Sequence, residues 1–233
     1  WAFRVGEDPK VLFPVMVHLD GFTLSHVTEP VILPEQSEVD RFLPKFQYQF
    51  ALNPDKPMTH GAFGPPDIYS ETKIAQEVAF RKSKEVILQG FKEFGDIFGR
   101  YYLPVEQYKT EHAKTLLLTM GSFSETAKIV IDERQAKGEP VGLIRLRLWR
   151  PFPFEEFRQA VRGAETLIVF DRCISFGIGG PVFSEVKSAL YDEEERPRVV
   201  NIIGGLGGRD MSVKDFEYVI DHGREIAEKG SDK

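Results

Sequence analysis

The sequence predicts an α/β protein whose second half is a doubly wound, mostly parallel sheet with helices on both faces. Three observations carry this prediction. From about residue 112 onward, short apolar runs alternate with amphipathic stretches. Capping residues and glycine stops fall at the changes between them. The connections are short, as β-α-β crossovers in one sheet require.

The elements follow in order. Thr115-Leu116-Leu117-Leu118-Thr119-Met120 is an apolar run suited to a buried parallel strand. Gly121 turns the chain, and Ser122 with Glu125 reads as an S-x-x-E capping box. The helix it opens carries Ile129, Val130 and Glu133 and stops near Gly138. Val141 to Leu148 is the next strand, with Ile144, Leu146 and Leu148 on one face and Arg145 and Arg147 on the other. Pro151 and Pro153 break it, and a short helix follows over Phe154 to Val161. Thr166 to Phe170 is a third strand. Gly177, Gly179, Gly180 and Pro181 form a loop before a helix over Val182 to Tyr191. Val199 to Ile203 is a fourth strand, ending in Gly204-Gly205-Leu206-Gly207-Gly208. Ser212 with Asp215 caps the last helix, whose Val213, Phe216 and Ile220 share a face.

The first half is rich in Pro and aromatics and less regular. Val11 to Leu19 reads as a strand ended by Asp20-Gly21, and Glu35 to Leu43 as a short helix. A loop with Pro44, Pro54, Pro57, Pro65 and Pro66 leads to a long helix expected from about Ser70 past Phe94. In it Phe80, Ile87 and Phe94 recur every seven residues, as do Phe91 and Phe98. This stripe packs on the body of the protein or, alternatively, meets another subunit. One strand and a Pro-rich excursion do not make a self-sufficient core. Residues 1–105 therefore read as the remainder of one domain, and 106–233 as a second. The chain opens Trp1-Ala2-Phe3-Arg4, without Met or a signal-peptide pattern, so a missing N-terminal segment is expected.

Composition narrows the function classes. Hydrophobic residues make up 42% and charged residues 28%, the balance of a globular chain rather than a disordered one. The net charge of −6 supplies no basic field for nucleic acid or anionic lipid. No apolar run reaches the ~18–20 residues that span a bilayer, so a soluble, cytoplasmic protein is expected. Cys173 stands alone, which excludes an internal disulfide and a four-cysteine iron–sulfur or zinc site within the chain. It follows a strand, and Arg172 could lower its pKa, but a lone cysteine reads first as a buried small hydrophobe.

Little in the sequence carries chemistry by itself. The 204–208 run lies between a strand and a helix, where phosphates bind. Asp210 stands where the dinucleotide fingerprint needs glycine, and no Gly-Lys-Ser/Thr follows, so a tight backbone turn is expected. His18, His26, His60, His112 and His222 show no metal-ligand pairing. Ser25, His26 and Glu29 suggest a nucleophilic cluster, but no G-x-S-x-G elbow positions the serine. Asp171 and Arg172 read as a structural ion pair at an interface, and Asp192 to Glu195 as a solvated acidic turn. No catalytic residue and no metal site is assigned to the chain.

Several stretches in order resemble one family. They are Asp20-Gly21-Phe22 with Ser25-His26 and Glu29; Asn53-Pro54 with Pro66-Asp67-Ile68-Tyr69; and Met120-Gly121-Ser122 with Glu125-Thr126. Gly142-Leu143-Ile144 with Arg147, Arg150-Pro151-Phe152, Asp171-Arg172 before the 177–181 loop, and Gly204 to Asp210 complete the set. Together they resemble the α subunit of 2-oxoacid:ferredoxin oxidoreductases, most closely the pyruvate type. The resemblance implies a transketolase C-terminal-like domain preceded by the tail of a thiamine-diphosphate pyrimidine-binding-type domain. It implies decarboxylation of a 2-oxoacid on thiamine diphosphate, electron transfer through [4Fe-4S] clusters to ferredoxin, and an acyl-coenzyme A product. The diphosphate, its Mg2+ and the clusters would be held mainly by partner subunits: a thiamine-diphosphate- and cluster-binding β, a γ and a ferredoxin-like δ. Ser25, His26 and Glu29 are expected near the cofactor, and Asp171, Arg172, Arg209 and Asp210 at interfaces. Two other readings stay open here. One is the C-terminal part of a non-redox thiamine enzyme, and the other is a free-standing flavodoxin-like binding module.

Overall fold

The computed structural model describes residues 1–21 and 23–230; Phe22, one of the residues behind the resemblance, lies outside them. The chain forms two compact units. The first comprises Trp1–Val17 and Glu29–Leu103, and the second His18–Thr28 and Pro104–Lys233.

The first unit is helical. Its main element is α4, Pro66–Phe98, preceded by α1, Ala2–Gly6, and α3, Gln36–Phe42. Pro66 occupies the first turn of α4, where its missing N–H costs nothing, so the helix begins earlier than expected. Gly99 ends it in the left-handed region at φ 70°. The seven-residue stripe packs inward: Ile87 and Phe91 are buried. Trp1 stacks on Phe91 at 4.7 Å, and Phe42 of α3 meets Phe94 and Phe98 at 5.4 and 5.6 Å. Arg4 of α1 pairs with Glu93 at 3.1 Å, which fixes α1 along the same face.

The expected strand over Val11–Leu19 does not form. Its apolar residues alternate well enough, but a strand needs a neighbour to satisfy its backbone, and none lies beside it among the described residues. Met16, Val17 and Leu19 are more than two-thirds exposed as a result.

The second unit is the doubly wound sheet. Its strands are β1 Val105–Tyr108, β2 Thr115–Thr119, β3 Val141–Leu146, β4 Thr166–Asp171 and β5 Arg198–Ile203. They lie in the order β1-β3-β2-β4-β5, and all pairs are parallel except β1 with β3. The helices are α5 Phe123–Ala136, α6 Phe154–Val161, α7 Pro181–Leu190 and α8 Val213–Lys229. Strand alternation divides the core in two. Leu116, Leu118 and Val169 face Phe157 of α6 and Val186 of α7. Leu117, Leu143 and Ile168 face Val130 of α5 and Phe216 of α8.

Strand β1 had no counterpart in the sequence reading. It is four residues long with only Val105 buried, so it shows too little apolar pattern to register. It explains the charged face of β3. Glu106 lies opposite Arg145 and binds Arg145, Arg147 and Lys128. Burial opposes ionisation of Glu106, but Lys128 and the two guanidiniums prevail and hold its carboxyl below the usual range.

Helix ends divide into local and long-range cases. Ser212 and Asp215 form the expected capping box on α8. Ser122 and Glu125 do not form theirs. Ser122 gives its hydroxyl to Asp20, and Glu125 is taken by Arg145. Charged partners distant in the chain displace a neutral local cap because charge-assisted hydrogen bonds are the stronger ones.

Helix α8 is tied to α5 by Arg134, whose side chain is 8% exposed. It meets Asp221 at 2.6 Å, Glu139 at 3.1 Å and the Glu217 carbonyl at 3.0 Å. We expect Arg134→Met to cost about 2 kcal/mol in chemical denaturation, less than the 3–5 for a fully buried pair because both carboxylates keep some solvent. A loss below about 0.5 kcal/mol would show that the cluster is no more than a surface pair.

Candidate functional site

The candidate site is the carboxyl edge of the sheet. The chain leaves β2 for β3 on one side and then crosses to β4 on the other. The winding therefore reverses between β2 and β4, and open α/β sheets place ligands at such a reversal. Three segments end there: Thr119–Ser122 after β2, Asp171–Arg172 after β4, and Gly204–Gly208 after β5.

Asp171 is 1% exposed and does not pair with Arg172. It accepts the backbone N–H groups of Val182 at 2.9 Å and Phe183 at 3.1 Å, the first turn of α7. The Asn201 amide donates to it at 2.9 Å, while the Asn201 oxygen accepts the Gly180 N–H at 2.8 Å. A carboxylate at the end of one strand thus caps the following helix, where orphan donors and the helix dipole favour an anion. Burial pushes the Asp171 carboxyl up, against the pull of these donors. The ion pair expected between Asp171 and Arg172 does not form, because the Asp171 oxygens are spent inside the unit.

Arg172 turns the other way. It pairs with Asp20, and its guanidinium lies 3.7 Å over the Phe123 ring. Asp20 also accepts from the Ser122 hydroxyl and backbone N–H at the start of α5. Burial opposes its ionisation, but Ser122 and Arg172 prevail, and its carboxyl titrates below the usual range. A carboxyl with a depressed folded value contributes stability above its unfolded pKa of about 3.9 and loses it as pH falls through the folded value.

The glycine run is a packing device. Gly205 sits in the left-handed region at φ 64°, and a Cβ there would lie 2.6 Å from the Phe123 ring. A Cβ on Gly204 would lie 2.8 Å from the Phe170 ring. Both glycines let the backbone press onto aromatics, as the expected tight turn requires. Arg209 and Asp210 follow on the surface, exposed.

Ser25 and His26 stand on the four-residue helix α2, Thr23–His26, both exposed, with Ser25 Oγ 3.0 Å from His26 Nδ1. They belong to the second unit, whereas Glu29 belongs to the first. Cys173 is exposed, not the buried hydrophobe expected, because it lies just past the buried end of β4. Sequence reasoning missed Asp20, Ser122 and Asn201. The first two carried only a strand-end and a capping signal, and Asn201 carried none.

Among the described residues, no group of three or more His, Cys, Asp or Glu could hold a metal ion. No described helix is long and apolar enough to cross a membrane. The residues at the carboxyl edge do not fit a diphosphate and its metal. Asp20 holds the helix start where a phosphate would lie, and aromatic rings fill the glycine turn.

Comparison of the sequence with known proteins sets the class. Residues 1–92 match the family model for pyruvate flavodoxin/ferredoxin oxidoreductase, thiamine diphosphate-binding. Residues 113–216 match pyruvate:ferredoxin oxidoreductase core domain II. The chain belongs to the 2-oxoacid:ferredoxin oxidoreductase family and corresponds to part of its α subunit. Within that family it is similar to pyruvate synthase subunit PorA of Methanothermobacter thermautotrophicus, 45% identical over 94% of this chain and 56% of the relative. It is 40% identical to the same subunit of Methanosarcina barkeri, over 98% of this chain and 57% of the relative. It is also 35% identical to ketoisovalerate oxidoreductase subunit VorA of Pyrococcus horikoshii, over 98% of this chain and 58% of the relative. The chain spans little more than half the length of these curated relatives.

Proposed function

We propose that this chain is an α-subunit portion of a thiamine-diphosphate-dependent 2-oxoacid:ferredoxin oxidoreductase with pyruvate as its substrate. The enzyme converts a 2-oxoacid and coenzyme A to acyl-coenzyme A and carbon dioxide, and ferredoxin takes up the electrons. The observation that carries this reading is the pair of family matches, in order along one chain and covering most of it. The names of the most similar relatives support pyruvate over a branched 2-oxoacid. The chain's own role is structural: it presents surfaces to subunits that hold the diphosphate, Mg2+ and iron–sulfur clusters. Its single cysteine, exposed, fits that division of labour. Arg209 and Asp210, exposed beside the glycine turn, are the proposed interface residues at this edge.

Ser25, His26 and Glu29 are placed near the cofactor in this reading. Replacing all three by Ala is expected to lower turnover of the assembled enzyme by ~10²-fold, the scale of a lost positioning contact. Wild-type turnover would remove them from the site. The reading as a whole is tested on the native assembly purified through this chain, by mass spectrometry with iron and thiamine analysis. Partner chains with iron and thiamine diphosphate are expected. A 26.5 kDa monomer carrying neither would overturn it.

A further inference from the structure

The reversal crevice between β2 and β4 is where a fold of this kind holds its ligand. In this chain the donors there converge on a carboxylate that the chain itself supplies. Ser122, at the start of α5, donates its hydroxyl and backbone N–H to Asp20, and Arg172, at the end of β4, pairs with it. Arg172 is fixed in turn by the Phe123 ring at 3.7 Å, and Gly205 packs against that ring from the far side of β4. Gly121, at φ 68°, carries the backbone past this point, and a Cβ on it would come to 3.8 Å from the Asp20 carboxylate.

Asp20 ties the segment that bears it to the sheet. Residues 18–28 group with the second unit, while the chain on either side groups with the first. None of the segment's described residues belongs to the hydrophobic clusters of the sheet, and Leu19 is 70% exposed. Where the described residues bury little apolar surface, polar contacts set how readily a segment opens. Asp20 and Arg172 are each 27% exposed, sheltered enough to pair well and open enough to feel salt.

We propose that His18–Thr28 is a strap latched into the reversal crevice by Asp20, with Arg172 and Ser122 as positioning residues that fix where Ser25 and His26 stand. The crevice acts as a receptor for the chain's own carboxylate. The described residues of the strap lie outside both core clusters, so its release is expected to leave the sheet intact. The latch stands on the geometry alone, and its consequence for turnover rests on the proposed function.

The test is hydrogen exchange, read by mass spectrometry on the native assembly. In Asp20→Asn and Arg172→Met, amides of residues 18–28 are expected to exchange about tenfold faster, the scale of one lost charge-assisted contact. Peptides of β2 and β4 should be unchanged, and Arg172→Lys should restore most of the protection. Wild-type protein in ~1 M salt should shift in the same direction, and the two loosened variants should not shift further. Equal protection of the strap in wild type and both variants overturns the latch. If a variant unfolds the sheet as well, the salt response of the wild type decides, and its absence overturns the latch. A loosened strap with lowered kcat and unchanged KM for pyruvate supports the positioning of Ser25 and His26. A loosened strap with full turnover leaves the latch standing and removes those residues from the cofactor's neighbourhood.

Discussion

Gly180→Ala is expected to destabilise the second unit by about 3 kcal/mol, as much as removal of Asp171 itself. The backbone at Gly180 has φ −83°, which any residue adopts, so the cost is one of space. An added Cβ would lie 1.9 Å from Asp171 Oδ2, and its three nearest atoms all belong to Asp171. The methyl therefore expels the carboxylate from the start of α7. Asp171→Ala reaches the same end by deletion, stranding the N–H groups of Val182 and Phe183 and one N–H of the Asn201 amide, which keeps the Val169 carbonyl. Buried donors left without acceptors cost about 1–3 kcal/mol each, and partial relaxation brings the sum to the figure above. The two substitutions should then be strongly non-additive. In the Asp171→Ala background the carboxylate is gone and only the residue-171 Cβ, at 2.5 Å, still crowds the methyl, so the double variant should unfold near the single ones, a coupling of about 2 kcal/mol. Denaturant melts of the four proteins decide it. Additive costs would mean that Gly180 is constrained by something other than Asp171.

The second large effect is expected at Phe216. It is fully buried on α8 and closes a three-ring cluster, 5.3 Å from Phe170 and 6.1 Å from Phe123. Phe216→Ala should cost about 3–5 kcal/mol, through lost transfer energy and the cavity left between α5, α8 and the sheet. Phe216→Leu should cost under ~1.5 kcal/mol, because it keeps most of the volume. The denaturation midpoint should fall with its slope unchanged, as for a change in stability alone. Phe123 supports both Gly205 and Arg172, so the cavity variant should also raise hydrogen exchange in residues 204–208. Exchange confined to α8 would show that the rings do not transmit the disturbance.

Much of the second unit was legible residue by residue. The helix over Phe154–Val161 falls where the sequence placed it, as does the Ser212–Asp215 capping box, and the strands begin and end within two residues of expectation. The first half was less so. Val11–Leu19 has the alternation of a strand without a neighbour to pair with, and α4 extends four residues N-terminal of the expected start because Pro66 suits a first turn. The candidate site was the least legible part. Asp171 and Arg172 are adjacent and opposite in charge, yet one caps α7 and the other pairs 152 residues away with Asp20.

The sequence by itself determined where the four parallel strands and their crossover helices lie in the second unit and which faces they bury. Those properties follow from side-chain periodicity and from backbone donors satisfied within four residues, so a local stretch carries them whole. Only the tertiary structure decided that β1 joins β3, that Ser122 serves Asp20 instead of its own helix, and that Asp20 occupies the reversal crevice. Each of these is a choice among partners distant in the chain. Charged and polar groups look alike along a sequence, and which of them meet is set by the fold that the apolar core builds first.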